Sequence, residues 1–191
     1  MITTLDNPTE TAATTAADVL QIQGVSKIFT TRHGKVQALV PIDLTVKSGQ
    51  VIALLGPSGC GKSTLLNRLV GARLAIVSPK PQSTRDRVVG ILSDETSQII
   101  LVDTPGIFAP KRRLDRAMVK TAWSGAHDAD LVCVLIDARE GLNEEAEAIL
   151  SRLKDVAKPK ILVLNKIDIV PREALLAQVK SANERVPFAE T

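Results

Sequence analysis

Eight consecutive residues, Gly56-Pro57-Ser58-Gly59-Cys60-Gly61-Lys62-Ser63, set the chemistry this chain can perform. They fit G-x-x-x-x-G-K-[ST], in which the glycines let successive backbone N–H groups turn toward one bound anion. Lys62 would reach the β and γ phosphates of a nucleotide, and the Ser63 hydroxyl would bind Mg2+. Thr64 continues into a helix whose positive end would face the phosphates. The apolar run VIALL precedes the loop and STLLNRLVG follows it, so strand, loop and helix agree.

Two later segments carry groups suited to the same ligand. QIILVDTPG brings Asp103 and Gly106 to the end of an apolar strand, where a carboxylate can hold Mg2+ and a glycine N–H can meet the γ-phosphate. KILVLNKID then delivers Asn165, Lys166 and Asp168. A carboxylate at Asp168 can accept both the ring N–H and the exocyclic amine of guanine, whereas adenine offers no donor pair at that edge. Alone, D-x-x-G is a weak signal and NKID could cap a strand. Their order, on matching elements after the loop, points to GTP or GDP with Mg2+.

The elements that must position these groups follow from hydrophobic period. VLQIQGV and VQALVPIDLTV read as strands separated by the turn signals RHGK and KSGQ. After Gly56, strands (RVVGILS, QIILVD, DLVCVLID, KILVLN) alternate with helical stretches (STLLNRLVG, LDRAMVKTAWSGA, EEAEAILSRLKDV, REALLAQVKSANE). Apolar runs separated by helices imply an α/β fold, a mostly parallel sheet with helices on both faces, and ligands bind at the carboxyl ends of such strands. With 191 residues and 45% hydrophobic content the chain supports one domain with a small appendage. The net charge of +3 neither requires nor excludes nucleic acid. Cys60 and Cys133 suggest neither a disulfide framework nor a zinc site, and Cys133 reads as a small buried strand residue. No apolar run approaches the roughly 20 residues of a membrane helix, and the N-terminus lacks signal-peptide features, so a cytoplasmic location is expected. Residues 1–17, rich in Thr and Ala without a burying period, are expected to be a disordered tail. Trp123 and Phe108 are expected to pack against the helix after DTPG.

From the loop onward, the chain resembles the Era-like GTPase domains of the TrmE-Era class, which act in bacterial ribosome assembly. The likeness is carried by GKSTLLNRLVGARLAIVSPKPQSTRDRVVGIL, ILVDTPGIF, DLVCVLIDAREGL and KILVLNKIDIV. It implies a P-loop NTPase fold and a guanine-nucleotide site made of Gly56, Pro57, Ser58, Gly59, Cys60, Gly61, Lys62, Ser63, Thr64, Asp103, Gly106, Asn165, Lys166 and Asp168. Lys62 and Thr84 would be catalytic. Thr84, or its neighbour Ser83, would join Ser63 and Asp103 as a Mg2+ ligand in the GTP state, and Lys80 to Asp86 would order with the γ-phosphate. Two departures predict slow hydrolysis. Gly59 replaces an asparagine that helps such loops place a monovalent cation, and Ile107 stands where Ras-like enzymes carry a water-orienting glutamine. The resemblance implies small-subunit ribosomal RNA as partner. It also implies that residues 56–191 stop before the last base-binding loop and before an RNA-binding KH domain, because Ser181-Ala182 lies in a helical stretch.

Ahead of the loop, LQIQGVSKIF and GKVQALVPIDLTVKSGQVIALLGPSGCGKSTLL resemble the start of an ABC transporter ATP-binding subunit of the nitrate, sulfonate or taurine type. That likeness would give Phe29 the task of stacking on adenine. It stops after the loop: no LSGGQ-type element or lid glutamine follows, and neither His33 nor His127 suits the late switch position. The chain thus reads as a chimera joined between Gly61 and Leu66, with residues 18–55 and Cys60 on the ABC side and Asn67 and Leu69 on the Era side. The extra N-terminal antiparallel β strands form an edge layer or hang loosely against the sheet. An ATP-binding fragment without turnover is the alternative function, and no ABC permease partner is expected.

Overall fold

The computed structural model describes residues 19–31, 34–78, 80, 82–93 and 97–191, and of residues 19–31 and 34–45 the backbone. The tail assigned to residues 1–17, His33, and Pro79 and Pro81 of the first-switch sequence lie outside the described residues, as does the side chain of Phe29.

Two long strands, β1 (Val19–Thr31) and β2 (Gly34–Lys47), pair antiparallel as a sheet of their own, with register shifts between Ile22 and Ile28. This resolves the arrangement that the sequence leaves open: the extra strands pair with each other and do not extend the main sheet. The hairpin runs alongside α1 (Lys62–Val70), and β2 also passes beside β7 (Lys160–Asn165).

The main sheet has the order β4-β5-β3-β6-β7, formed by β4 (Val88–Ser93), β5 (Gln98–Asp103), β3 (Val51–Leu55), β6 (Leu131–Asp137) and β7. Four strands are parallel, and the edge strand β4 runs antiparallel to β5. A boundary drawn between residues 55 and 56 therefore falls between the central strand and the loop it carries. Among the described residues three more α-helices follow: α2 (Arg113–Asp128), α3 (Glu144–Leu153) and α4 (Arg172–Arg185).

The unbroken apolar runs are explained by burial on both faces. All seven residues of β6 are buried. Leu131, Cys133 and Leu135 pack with Leu65 and Leu66 of α1, while Val132, Val134 and Ile136 pack with Ala122 and Trp123 of α2 and Ile149, Leu150 and Leu153 of α3. Helix α3 starts where Asn143 Oδ1 accepts the Ala146 N–H at 3.0 Å, with Glu144, Glu145 and Glu147 at the positive end of its dipole. It closes at Leu153 in a turn, short of the Val156 expected from period. Register aligns the carboxyl tips: Leu54 lies opposite Asp103 and Cys133, and Asp137 lies opposite Asn165. Chemistry-bearing residues from separate strands therefore share one edge.

Candidate functional site: a phosphate loop and a strand-tip carboxylate

The loop leaves β3 at a crossing that tolerates only glycine. A Cβ on Gly56, whose φ is +153°, would stand 2.2 Å from the Leu135 carbonyl oxygen of the neighbouring strand. Beyond it, Lys62 is buried and turns back over the loop, its Nζ donating to the carbonyls of Gly56 at 3.0 Å and Pro57 at 2.9 Å. Cys60 is fully buried beneath the loop, Gly59 is exposed at its crest, and Gly61 caps α1 in the left-handed region with a φ of 114°. Thr64 is buried in the first turn of the helix. A cavity of about 600 Å³ lies elsewhere, lined by Thr64, Asn67 and Leu74 among others, with no residue of 56–63 in its wall.

The candidate metal ligands converge. Ser63 Oγ donates to Asp103 Oδ2 at 2.6 Å, Thr84 Oγ1 donates to the same oxygen at 3.3 Å, and the two hydroxyls are 3.1 Å apart. Thr84 rather than Ser83 is the member of that pair in this cluster. Asp103 is fully buried, and among the described residues its Oδ1 has no hydrogen-bond partner. Burial pushes its carboxyl above the usual carboxylate range, although the Ser63 hydrogen bond, the Lys62 charge and the Thr84 hydrogen bond all pull the other way. A buried anionic oxygen left unpaired beside two hydroxyls fits a hard divalent cation such as Mg2+, which takes oxygen ligands.

The segment after Asp103 is pinned to the loop. Thr104 Oγ1 donates to the Leu54 carbonyl at 2.6 Å, and the Ile107 N–H donates to the Gly56 carbonyl at 3.1 Å. Gly106 passes so close that a Cβ there would lie 2.8 Å from Ser58 Cα. On the opposite side, the Gln82 N–H donates to Ser58 Oγ at 2.9 Å, docking the first-switch segment on the same serine. Ile107 is buried, so no polar side chain at that position reaches toward a water.

The NKID residues meet the loop from β7. Asn165, fully buried, donates from Nδ2 to the Cys60 carbonyl at 2.8 Å, and Lys166 Nζ donates to the Gly59 carbonyl at 2.8 Å. Asp168 stands exposed in a single 3-10 turn, Ile167–Ile169, just beyond them. The structure thus brings Lys62, Ser63, Thr84, Asp103, Gly106, Asn165 and Lys166 around the phosphate loop, from three strand tips and the segment before β4, while Asp168 follows Asn165 and Lys166 in the chain and Thr64 lines the separate cavity. Sequence reasoning missed Asp137, which accepts from Lys166 Nζ at 2.7 Å, and Arg139, which grips Asp137; the signal was an aspartate closing DLVCVLID at the same sheet edge as Asp103 and Asn165. Ser181 and Ala182 lie within α4, as expected. Trp123 belongs to α2 and is buried, with the Arg152 guanidinium 4.4 Å from its ring centroid. Phe108 is half-buried.

Comparison with known proteins places this arrangement. Residues 51–166 match the model of a family described as 50S ribosome-binding GTPase. GTPase Era of Bradyrhizobium sp. strain BTAi1 is 65% identical over 140 residues, covering 73% of this chain and 46% of that protein. GTPase Era of Agrobacterium fabrum is 57% identical over 148 residues, covering 78% and 46%. The chain spans about half the length of the curated relatives it matches. Among solved structures, Era in complex with MgGDPNP and a segment of 16S ribosomal RNA superposes with a TM-score of 0.68 at 39% identity, covering 74% of this chain and 49% of that one. A point variant of Aquifex aeolicus Era bound to GDP and AlF4− gives the same figures. These matches support the Era-like part of the sequence reading. They give no support to the likeness of residues 18–55 to an ABC transporter subunit, or to a chimera.

Proposed function

The chain belongs to the 50S ribosome-binding GTPase family, and on that premise we propose that it is an Era-like guanine-nucleotide switch that hydrolyses GTP slowly with Mg2+. The observation that carries this reading is the pair of hydrogen bonds from Asn165 and Lys166 onto the carbonyls of Cys60 and Gly59. They dock the end of β7, from which the turn bearing Asp168 follows, onto the phosphate loop, so one ligand can span both.

In this reading the N–H groups of residues 56–63 surround the phosphates, and Lys62 leaves the loop carbonyls to neutralise the β and γ oxygens. Asp168 accepts the guanine ring N–H and amine. Ser63, Thr84 and Asp103 hold Mg2+, which when bound would neutralise charge developing on the phosphate oxygens. The Gly106 N–H meets the γ-phosphate, and its contact with Ser58 conveys the presence of that group to the segment leading into α2. Hydrolysis breaks the bond between the γ-phosphorus and the bridging oxygen, with water adding to phosphorus, and yields GDP and phosphate. It is slow because Ile107 offers no group to orient the water and Gly59 offers no side chain for a monovalent cation.

Residues 56–191, together with β3, act as the nucleotide-binding domain, with the hairpin as an appended segment. The proposed partner is small-subunit ribosomal RNA, since a relative at 39% identity was crystallised with 16S ribosomal RNA. A cytoplasmic location is proposed with it. Among the described residues no helix is long and apolar enough to cross a membrane.

The experiment is competition of GTP and ATP against a fluorescent guanine nucleotide, repeated with Asp168→Asn. Wild type should favour GTP. The variant should lose GTP and gain xanthosine triphosphate, because a donor now faces the base carbonyl. Unchanged GTP affinity in the variant, or equal displacement of the probe by ATP in wild type, sinks the reading.

A further inference from the structure

Near its end, helix α2 carries two residues that its own local energetics disfavour. Gly125 lies inside the helix, where glycine is among the poorest residues because its backbone has the most freedom to lose. Asp128 is the last helical residue, so a carboxylate stands at the negative end of the dipole, where a cation is favoured. One partner explains both. Arg87, the residue before β4, donates from Nη1 to Asp128 Oδ2 at 2.8 Å. Its stem passes over Gly125, where a Cβ would lie 3.3 Å from Arg87 Cδ and 3.0 Å from Thr104 Cγ2. Ser124 Oγ donates to the same Asp128 oxygen at 3.5 Å.

The segments that meet at Gly125 all lead back to the phosphate site. Arg87 follows Thr84 by three residues, and Thr84 sits in the cluster with Ser63 and Asp103. Thr104 follows Asp103 and is fixed to the Leu54 carbonyl. Helix α2 continues the segment that leaves Gly106. The close passage of Gly106 over Ser58 constrains the start of that segment, whereas Arg87 holds the opposite end of the helix. That hold is modest, since the two side chains are 37% and 62% exposed and water competes for the pair. A coupling of this size biases α2 between two positions without locking either.

We propose that Arg87 and Asp128 are positioning residues which couple the first-switch segment to the C-terminal end of α2, so that docking of Thr84 at the metal site and the placement of α2 favour one another. The inference rests on the guanine-nucleotide reading of the site, and the coupling acts in both directions. It accounts for a glycine and an aspartate that break the rules of their own helix at the same contact.

Trp123, the single tryptophan of the chain, lies on α2 two residues before Gly125, with the Arg152 guanidinium of α3 over its ring, so its emission reports how α2 sits on α3. The test compares Trp123 emission of the full chain in Mg2+ with GDP and with a non-hydrolysable GTP analogue, and measures the affinity for each by displacement of N-methylanthraniloyl-GDP. Wild type should emit differently in the two states. Arg87→Gln and Asp128→Asn should each shrink that difference and weaken the analogue relative to GDP by about two- to fivefold, the range of an exposed ion pair. GDP affinity itself should stay within about twofold of wild type, the scale of a change outside the nucleotide site. The double variant should match the single variants, because the second change has no interaction left to remove. Gly125→Ala crowds Arg87 and Thr104 and should lower the analogue-to-GDP preference as well, although alanine is the better helix residue. Wild-type emission that is the same in both states, a preference unchanged in the single variants, or single effects that add in the double variant overturns the proposal. So does a Gly125→Ala chain that melts higher and keeps the wild-type preference. A wild type that fails to hold the probe sinks the guanine reading and this inference with it, whereas a wild type that holds it beside any of those results sinks this inference alone.

Discussion

Replacing Asp103 by asparagine should separate the cost of a buried carboxylate from its use. The group is fully buried, Oδ2 accepts from Ser63 and Thr84, and Oδ1 is unpaired among the described residues. Its carboxyl is raised above the usual range, with desolvation outweighing the hydrogen bonds and the Lys62 charge. A raised folded-state value means that the native protein binds more protons than the unfolded chain between the two values. Metal-free stability should therefore fall as pH rises through that window and stay low above it, and Asp103→Asn should abolish this component. Above the window the variant gains at most about 1 kcal/mol from removing an unsatisfied buried charge. For a chain of this size that is a rise of roughly 2–4 °C in Tm. With Mg2+ the sign reverses. Losing hydrogen bonding and coordination by a charged group costs about 1.5–3 kcal/mol, or roughly ten- to a hundredfold in Mg2+-dependent GTP affinity at about 1.4 kcal/mol per decade. Differential scanning fluorimetry across pH without metal, then with Mg2+ and a non-hydrolysable GTP analogue, reads both effects. A variant that melts well below wild type without metal, or that keeps its Mg2+ enhancement within about twofold, would refute the reasoning.

Three further outcomes follow from particular contacts. Gly106→Ala places a Cβ at 2.8–3.0 Å from Ser58 Cα, Cβ and N, and should destabilise by about 1–3 kcal/mol through overpacking while weakening GTP binding, measured by melt and fluorescence titration. Asn143→Ala removes the bond from the Ala146 N–H that caps α3 and should cost about 1 kcal/mol, read in urea unfolding. Cys133, whose thiol is pushed up to about 12 by burial and then by the nearby Cys60, should resist iodoacetamide at pH 8 in the native state and react only on unfolding.

How legible the site was depends on the range of the interaction concerned. The loop, Asp103 and NKID were readable because each is a local pattern of residue types at fixed spacing, and apolar strands immediately before them named their place on the sheet. The antiparallel direction of β4 was less accessible, because alternation in RVVGILS specifies a strand and a face but carries no sign of direction. The end of α3 at Leu153 shows the same limit at the scale of one turn. Period continues through Lys154 and Asp155, and only the turn bonds from Asp155 and Val156 back to Arg152 and Leu153 close the helix. Asp137 was passed over because an aspartate at a strand end has many uses, and its partner Lys166 lies 29 residues away.

By itself the sequence determined which ligand chemistry this protein carries: a glycine-spaced loop with its lysine and serine, a strand-tip aspartate, and a second aspartate suited to guanine. These are short-range properties, fixed by covalent neighbours and by backbone freedom at glycine. Tertiary structure alone decided that Ser63, Thr84 and Asp103 meet within 3.3 Å, that Lys166 spans from β6 to the loop, and that the N-terminal strands pair with each other. The first two depend on parallel strands brought together by crossover helices, where the chain between strands is too long for local spacing to encode which tips become neighbours, and the third on two consecutive antiparallel strands finding no place at the edge of the main sheet.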